Sequence, residues 1–186
     1  TSAADRSPQV PWLEAHGPET TLSMAYIRHA TQGGINLANT GPYVRELNGR
    51  MRVFAHNGNL AGIRDRYRSD RWGYHPVGET DSEYAFCLLL NSLAAEENAG
   101  EALPPVEQRL ATLAGLFSEL RELGPANFLY ADSHTLFVHA DRRFQPATDR
   151  IEPPGLYLRS CGLDRFPELL DESVPGSLAS GQQVTV

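Results

Sequence analysis

Arg50-Met-Arg-Val-Phe-Ala-His56 runs without a break into Asn57-Gly58-Asn59. Its mixed polar and apolar residues read as a half-buried β-strand, and Asn-Gly after a strand is the strongest short signal for a hairpin turn. Further along, Thr80-Asp81-Ser82-Glu83 has the T-x-x-E pattern of a capping box, in which each side chain bonds the other's backbone N–H. It opens a helix predicted from Asp81 to about Ala95. Phe86, Cys87, Leu89, Leu90 and Leu93 make that helix apolar nearly all round, as expected of one held between layers. Residues 64–79, with Trp72 and Pro76, read as an ordered surface loop joining the two elements.

The flanks add helices and strands in runs. Residues 1–20 are rich in Pro, Ser and charge, with a short helix at Pro11–His16. Leu22–Ala30 reads as a strand ending in a turn at residues 31–34, and Asn39-Thr40-Gly41-Pro42 is a second turn. Past a polar linker at 96–105, a helix over Val106–Leu123 places Val106, Leu110, Leu113, Phe117 and Leu120 on one stripe, and Gly124-Pro125 stops it. Strands Phe128–Ala131 and Thr135–Ala140 follow, joined by Asp132-Ser133-His134. A strand at Gly155–Cys161 and an edge strand at Gln182–Val186 complete the reading. Runs of strands with separate helices, rather than strict alternation, indicate an α+β class in a single domain spanning 1–186.

Composition narrows the function. A chain of 186 residues with 41% apolar content can bury one ordinary core. A net charge of −7 argues against a nucleic-acid surface, and the seven arginines between Arg45 and Arg71 have no regular spacing. The longest apolar run, Ala85 to Leu90, is far too short to span a bilayer, and the first residues have no apolar signal-peptide core. Two cysteines, Cys87 and Cys161, supply neither a disulfide framework nor zinc spacing. The expectation is a reduced cytoplasmic protein with no membrane and no nucleic-acid partner.

Three segments place polar groups where a strand ends or a helix begins. Arg28, within Ile27-Arg28-His29-Ala30-Thr31-Gln32-Gly33, needs an anion, and a carboxylate matches its fork best; an internal Asp or Glu would serve as well as a ligand. Asn57 and Gly58 are either a type I′ turn or a pair of donors converging on one oxygen as charge develops there. Asp81, at the first helical position, is favoured there by the helix dipole and would equally suit a ligand ammonium group. Taken together, the three sites complement an α-amino acid that carries an electrophilic side-chain carbonyl. Glutamine and γ-glutamyl compounds are the simplest candidates.

The ordered motifs I-R-H-A-T-Q-G, N-T-G-P-Y, F-A-H-N-G-N-L and G-E-T-D-S-E resemble those of class II glutamine amidotransferases, the N-terminal-nucleophile (Ntn) hydrolases, and in particular their stand-alone bacterial type. The resemblance covers residues 20–95 by motif. It implies a four-layer αββα sandwich with its first strands absent from this chain. It also implies that Arg28 and Thr31 hold the α-carboxylate, that Asp81 holds the α-ammonium, that Asn57 and Gly58 stabilise the oxyanion, and that His56 supports them. Gly41 and Tyr43 stand where the family usually has His and Phe, and Tyr26 where a His is frequent.

The family attacks with an N-terminal Cys whose own amino group is the base, forming a γ-glutamyl thioester. Neither Cys87 nor Cys161 matches that position, and the residues after Thr1 lack a strand leading to the site. The expectation is therefore a glutamine or γ-glutamyl amidohydrolase whose nucleophile lies outside these residues, so that the chain alone is inactive. The alternative is a non-catalytic amino-acid-binding protein that has lost the nucleophile. No metal or organic cofactor is implied, and an ammonia acceptor would have to bind a separate acceptor-domain protein.

Overall fold

The computed structural model describes residues 7–28, 32–68, 72–97, 102–157, 159–162 and 182–185. After a short helix α1 (Gln9–His16), strands β1 (Tyr43–Leu47) and β2 (Arg50–Gly58) form a hairpin. A one-turn helix α2 (Ile63–Arg66) precedes α3 (Asp81–Ala94) and α4 (Val106–Leu120). Strands β3 (Ala126–Ala131) and β4 (Leu136–His139) complete an antiparallel sheet in the order β1-β2-β3-β4. Two small hairpins follow, β5 (Arg143–Gln145) with β6 (Arg150–Glu152), and β7 (Arg159–Gly162) with β8 (Gln182–Thr185). Helices and an antiparallel sheet segregated in this way make an α+β fold.

Two layers carry the core. α3 lies against β1 and β2, and α4 against α3 and β4. Phe54 stacks on Phe86 with centroids 5.2 Å apart, and Phe128 sits 5.5 Å from Phe54 and 4.5 Å from Phe117. Leu89, Leu90, Leu93, Leu113 and Leu120 fill the space between the helices and the sheet. α3 is buried through Leu90, as its all-round apolar pattern predicts. On the opposite face of the sheet Val44, Met51 and Val138 are exposed, and the further layers of a four-layer sandwich would stack there.

Several expectations change. The Asn57-Gly58 hairpin does not exist, because β2 continues through Gly58 and pairs Asn57 with Asn127 and Gly58 with Ala126. The turn falls at Asn48-Gly49, where φ values of 53° and 82° and the Leu47–Arg50 pairing fit a two-residue type I′ turn. Of the strand expected over Leu22–Ala30, Leu22–Arg28 is not a strand and has no ladder partner among the described residues, and His29 and Ala30 lie outside them. Arg159–Gly162 is shorter than the strand expected from Gly155, and Gln182–Thr185 pairs with it as the edge strand. In α4 the buried stripe is Arg109, Leu113, Phe117 and Leu120, which leaves Val106 and Leu110 at 41% and 54% exposure. Arg109 points inward because its guanidinium bonds Asp132.

Candidate active site

The C-terminal end of β2 and the N-terminus of α3 meet at one rim of the sheet, with Tyr26–Arg28 and the β5–β6 hairpin beside them. A cavity of about 280 Å³ lies there, lined by Arg28, Asn57, Gly58 and Asp81 together with Tyr26 and Thr80. Four of the six residues expected at the site thus share one wall. Thr31 lies outside the described residues. His56 is set behind the strand.

The start of α3 is held rigidly. Thr80 Oγ1 accepts the Glu83 N–H at 3.1 Å and sits 2.7 Å from the Tyr43 hydroxyl. The capping box is not reciprocal, since the Glu83 carboxylate accepts the N–H groups of Val77 at 3.1 Å and Gly78 at 2.7 Å and pairs with Arg45. A buried carboxylate needs several donors, and the loop before α3 supplies them. Asp81, 6% exposed, directs Oδ2 to the Leu60 N–H at 2.7 Å, while Oδ1 has a 3.4 Å contact from Ser82 Oγ.

The donors on β2 are fixed by β3. Asn127 Nδ2 donates to the Asn57 carbonyl at 2.9 Å, and no hydrogen bond among the described residues engages the Asn57 side-chain amide. A Cβ on Gly58 would come within 1.8 Å of the Pro125 carbonyl oxygen and 2.5 Å of His56 Nε2, so only glycine fits there. His56, 2% exposed, places Nδ1 2.9 Å from Ser82 Oγ and Nε2 3.4 Å from the Pro125 carbonyl. Burial lowers its pKa, opposed by the Asp81 charge and the Pro125 hydrogen bond. A neutral ring that donates from Nε2 to the carbonyl must accept the Ser82 hydroxyl at Nδ1.

Arg28 has no carboxylate partner among the described residues, so none of these makes the internal salt bridge. Its guanidinium donates to the carbonyls of Gln32 at 2.6 Å, Gly34 at 3.2 Å and Gly33 at 3.3 Å. These bonds tie it to the turn that follows and orient it along the cavity wall. Cys87 is fully buried in α3, and burial pushes its thiol up to about 12, so it is no thiolate nucleophile. Among the described residues no group of three or more His, Cys, Asp or Glu is placed to hold a metal ion, and no helix is long and apolar enough to cross a membrane.

A second cavity of about 410 Å³ adjoins the first and shares Tyr26, Ile27, Asn57 and Arg143 with it. Arg143 was not among the expected site residues. It arrives on β5, whose three residues lack any motif, and only the fold brings it beside Asn57. With a guanidinium and a carboxylate on its wall and an unengaged amide donor between the two cavities, the site suits a zwitterion bearing a carbonyl.

A family model described as class II glutamine amidotransferases matches residues 2–155. The chain is 38% identical over 132 residues to the protein named "Putative glutamine amidotransferase YafJ" from Escherichia coli, covering 68% of this chain and 48% of that one. It is 33% identical over 137 residues to a Haemophilus influenzae protein named "Putative glutamine amidotransferase", covering 74% and 45% respectively. A crystal structure of a predicted glutamine amidotransferase from Pseudomonas aeruginosa is 42% identical, with a TM-score of 0.49 over 57% of this chain and 40% of that one. The chain spans about half the length of these curated relatives.

Proposed function

The chain belongs to the class II glutamine amidotransferases, and from that premise we propose that its site binds the γ-glutamyl group of glutamine or a γ-glutamyl compound and supports cleavage of the γ-amide. The observation that carries this reading is the convergence of Arg28, Asn57, Gly58 and Asp81 on one cavity wall. Arg28, with Thr31, holds the α-carboxylate, and Asp81 holds the α-ammonium through Oδ1, its other oxygen being committed to Leu60. The γ-carbonyl then faces the Asn57 amide and the Gly58 N–H. Donors already fixed by the β2–β3 ladder need no reorganisation as negative charge grows on that oxygen.

In this reading the attacking group is an N-terminal cysteine outside the 186 residues. Its thiolate sulfur bonds the carbonyl carbon of the γ-carboxamide, the amide C–N bond breaks, and the nitrogen leaves as ammonia or an amine with the proton taken from the thiol. Water then adds to the thioester, releasing glutamate and restoring the thiol. His56 takes no proton in these steps; its ring props Gly58 from behind.

The test is to incubate the full-length protein with glutamine, follow release of glutamate and ammonia, and look by mass spectrometry for a γ-glutamyl adduct on a cysteine. Release with an adduct on an N-terminal cysteine supports the reading. Tight glutamine binding with neither product nor adduct identifies a binding protein instead, and absence of binding removes both.

A further inference from the structure

Ser82 Oγ stands between two acceptors and has one proton to give. His56 Nδ1 lies 2.9 Å from it and Asp81 Oδ1 3.4 Å from it, and all three residues are buried. Both outer ends of this chain of contacts are held: His56 Nε2 faces the Pro125 carbonyl at 3.4 Å, and Asp81 Oδ2 accepts the Leu60 N–H at 2.7 Å. A neutral ring has a single N–H. With that proton on Nε2, Nδ1 takes the Ser82 hydroxyl proton and Asp81 Oδ1 receives nothing from Ser82. A protonated ring donates from both nitrogens, so Ser82 Oγ accepts from Nδ1 and turns its own proton to Asp81 Oδ1. One added proton on His56 thus satisfies every partner. Phe54 and His56 alternate onto the face of β2 that packs on α3, so these contacts do not depend on what stacks on the opposite face of the sheet.

We propose that Ser82 is a positioning residue for ammonium recognition: it carries the protonation state of His56 to Asp81 Oδ1, so that a proton on His56 and an ammonium group on the ligand compete for one carboxylate oxygen. This rests on the function proposed above, in which Oδ1 holds the α-ammonium, and adds a control on that contact. With the ring neutral, the ligand ammonium supplies the donor that Oδ1 lacks from Ser82. With the ring charged, the Ser82 hydroxyl supplies it instead. Burial favours the neutral ring, which leaves Oδ1 open to the ligand near pH 7. Acidification closes it, and by linkage a bound ammonium favours the neutral ring. The groups facing His56 are few. α3 presents Asp81 and Ser82, β3 presents the Phe128 ring at 4.9 Å, and the segment before β3 presents the Pro125 carbonyl. His139 on β4 lies beyond Phe128 in the same row, where α4 packs Phe117.

The experiment measures kcat/KM of the full-length protein for glutamine and for its des-amino analogue from about pH 7.5 to about pH 5.5. The ratio of the two constants reports the ammonium contact, because titration of the nucleophile or its base enters both alike. The expected ratio is about 10- to 100-fold near neutrality, the range of a hydrogen bond to a charged group. Below about pH 6.5 it falls, by up to about 10-fold per pH unit. Ser82→Ala removes the hydroxyl while His56 and Asp81 still titrate, and its ratio stays level over the same range. A level ratio in the wild type overturns the role of Ser82 and leaves the amidohydrolase reading standing. A Ser82→Ala protein that is folded by circular dichroism and whose ratio falls as steeply as the wild type's also overturns it, since the acid effect then belongs to Asp81 or to the His56 charge acting directly. Should that variant not fold, His56→Asn takes its place: it removes the titration, and a ratio that still falls overturns the proposal. If glutamine is neither cleaved nor bound, the function proposed above fails and this inference falls with it.

Discussion

Asp81 Oδ2 accepts the backbone N–H of Leu60 at 2.7 Å, so the first residue of α3 also fixes the chain as it leaves β2. One carboxylate therefore has a structural role beside the recognition role proposed for it, and two substitutions separate them. Asp81→Asn retains an oxygen for Leu60 and removes the charge. It should fold normally, yet lose discrimination between glutamine and its des-amino analogue. Asp81→Ala leaves a buried N–H unsatisfied and should cost about 1–3 kcal/mol in urea denaturation. Retained discrimination in Asp81→Asn would rule out the ammonium role.

Asn57 is the cleaner probe of chemistry. Its side-chain amide has no structural duty among the described residues, whereas its backbone is held by Asn127. Asn57→Ala should leave stability nearly unchanged and lower kcat about 10²- to 10³-fold, with little effect on KM. Steady-state kinetics on the full-length protein measures this directly. An equal loss in kcat and affinity would mean that Asn57 binds the ground state instead.

The two Asn-Gly pairs mark how far local sequence reaches. Asn48-Gly49 and Asn57-Gly58 carry the same turn signal, but only the first is a turn. The second lies in a ladder with Asn127 and Ala126, some 70 positions away, and that pairing overrides the local preference. α3 was legible because its capping residue and its all-round apolar content are both local. The inward Arg109 was not, since its partner Asp132 lies 23 residues on.

The site divides the same way. Asn57, Gly58 and Asp81 could be singled out because they stand at the end of β2 and the start of α3, and Arg28 because its motif is local, although it lies on no strand. Arg143 could not, because β5 carries no motif and only folding brings it beside Tyr157 and Asn57. The Ser82–His56 contact at 2.9 Å likewise joins residues that show no pattern in sequence.

Stability should depend on pH through His56. Burial holds its folded pKa below the ordinary 6.5, so the unfolded chain binds more protons as the solution is acidified. Its contribution is complete above about pH 6.5 and is lost as pH falls through the folded value, with a slope of at most about 1.4 kcal/mol per pH unit. His56→Asn removes the titration and preserves a partner for Ser82. Tm measured from pH 7.5 down to 5.5 should therefore fall less steeply in the variant. Parallel slopes would show that other groups carry the acid sensitivity.

Asp132 should be worth more to the fold than any surface ion pair. It is fully buried, pairs with Arg109, lies 4.0 Å from the buried Arg52, and through Oδ1 accepts the N–H groups of His134 at 3.1 Å and Thr135 at 2.9 Å. Arg52 in turn pairs with Glu97 and donates to the Tyr130 hydroxyl at 3.1 Å, so a single carboxylate joins β2, α4 and the β3–β4 turn. Asp132→Ala strands charge on two guanidinium groups and leaves two turn donors without their acceptor, a loss of about 3–5 kcal/mol. Asp132→Asn keeps an acceptor for the turn and should fall between that value and wild type. The control is Glu122→Ala, which breaks a 3.1 Å pair with Arg66 whose side chains are 64% and 44% exposed, and which should cost under about 1 kcal/mol. Urea midpoints at unchanged m-value separate the three. Equal shifts for Asp132→Ala and Glu122→Ala would mean that the buried cluster is relieved by water or rearrangement and does not hold β2 in the register that sets Asn57 and Gly58.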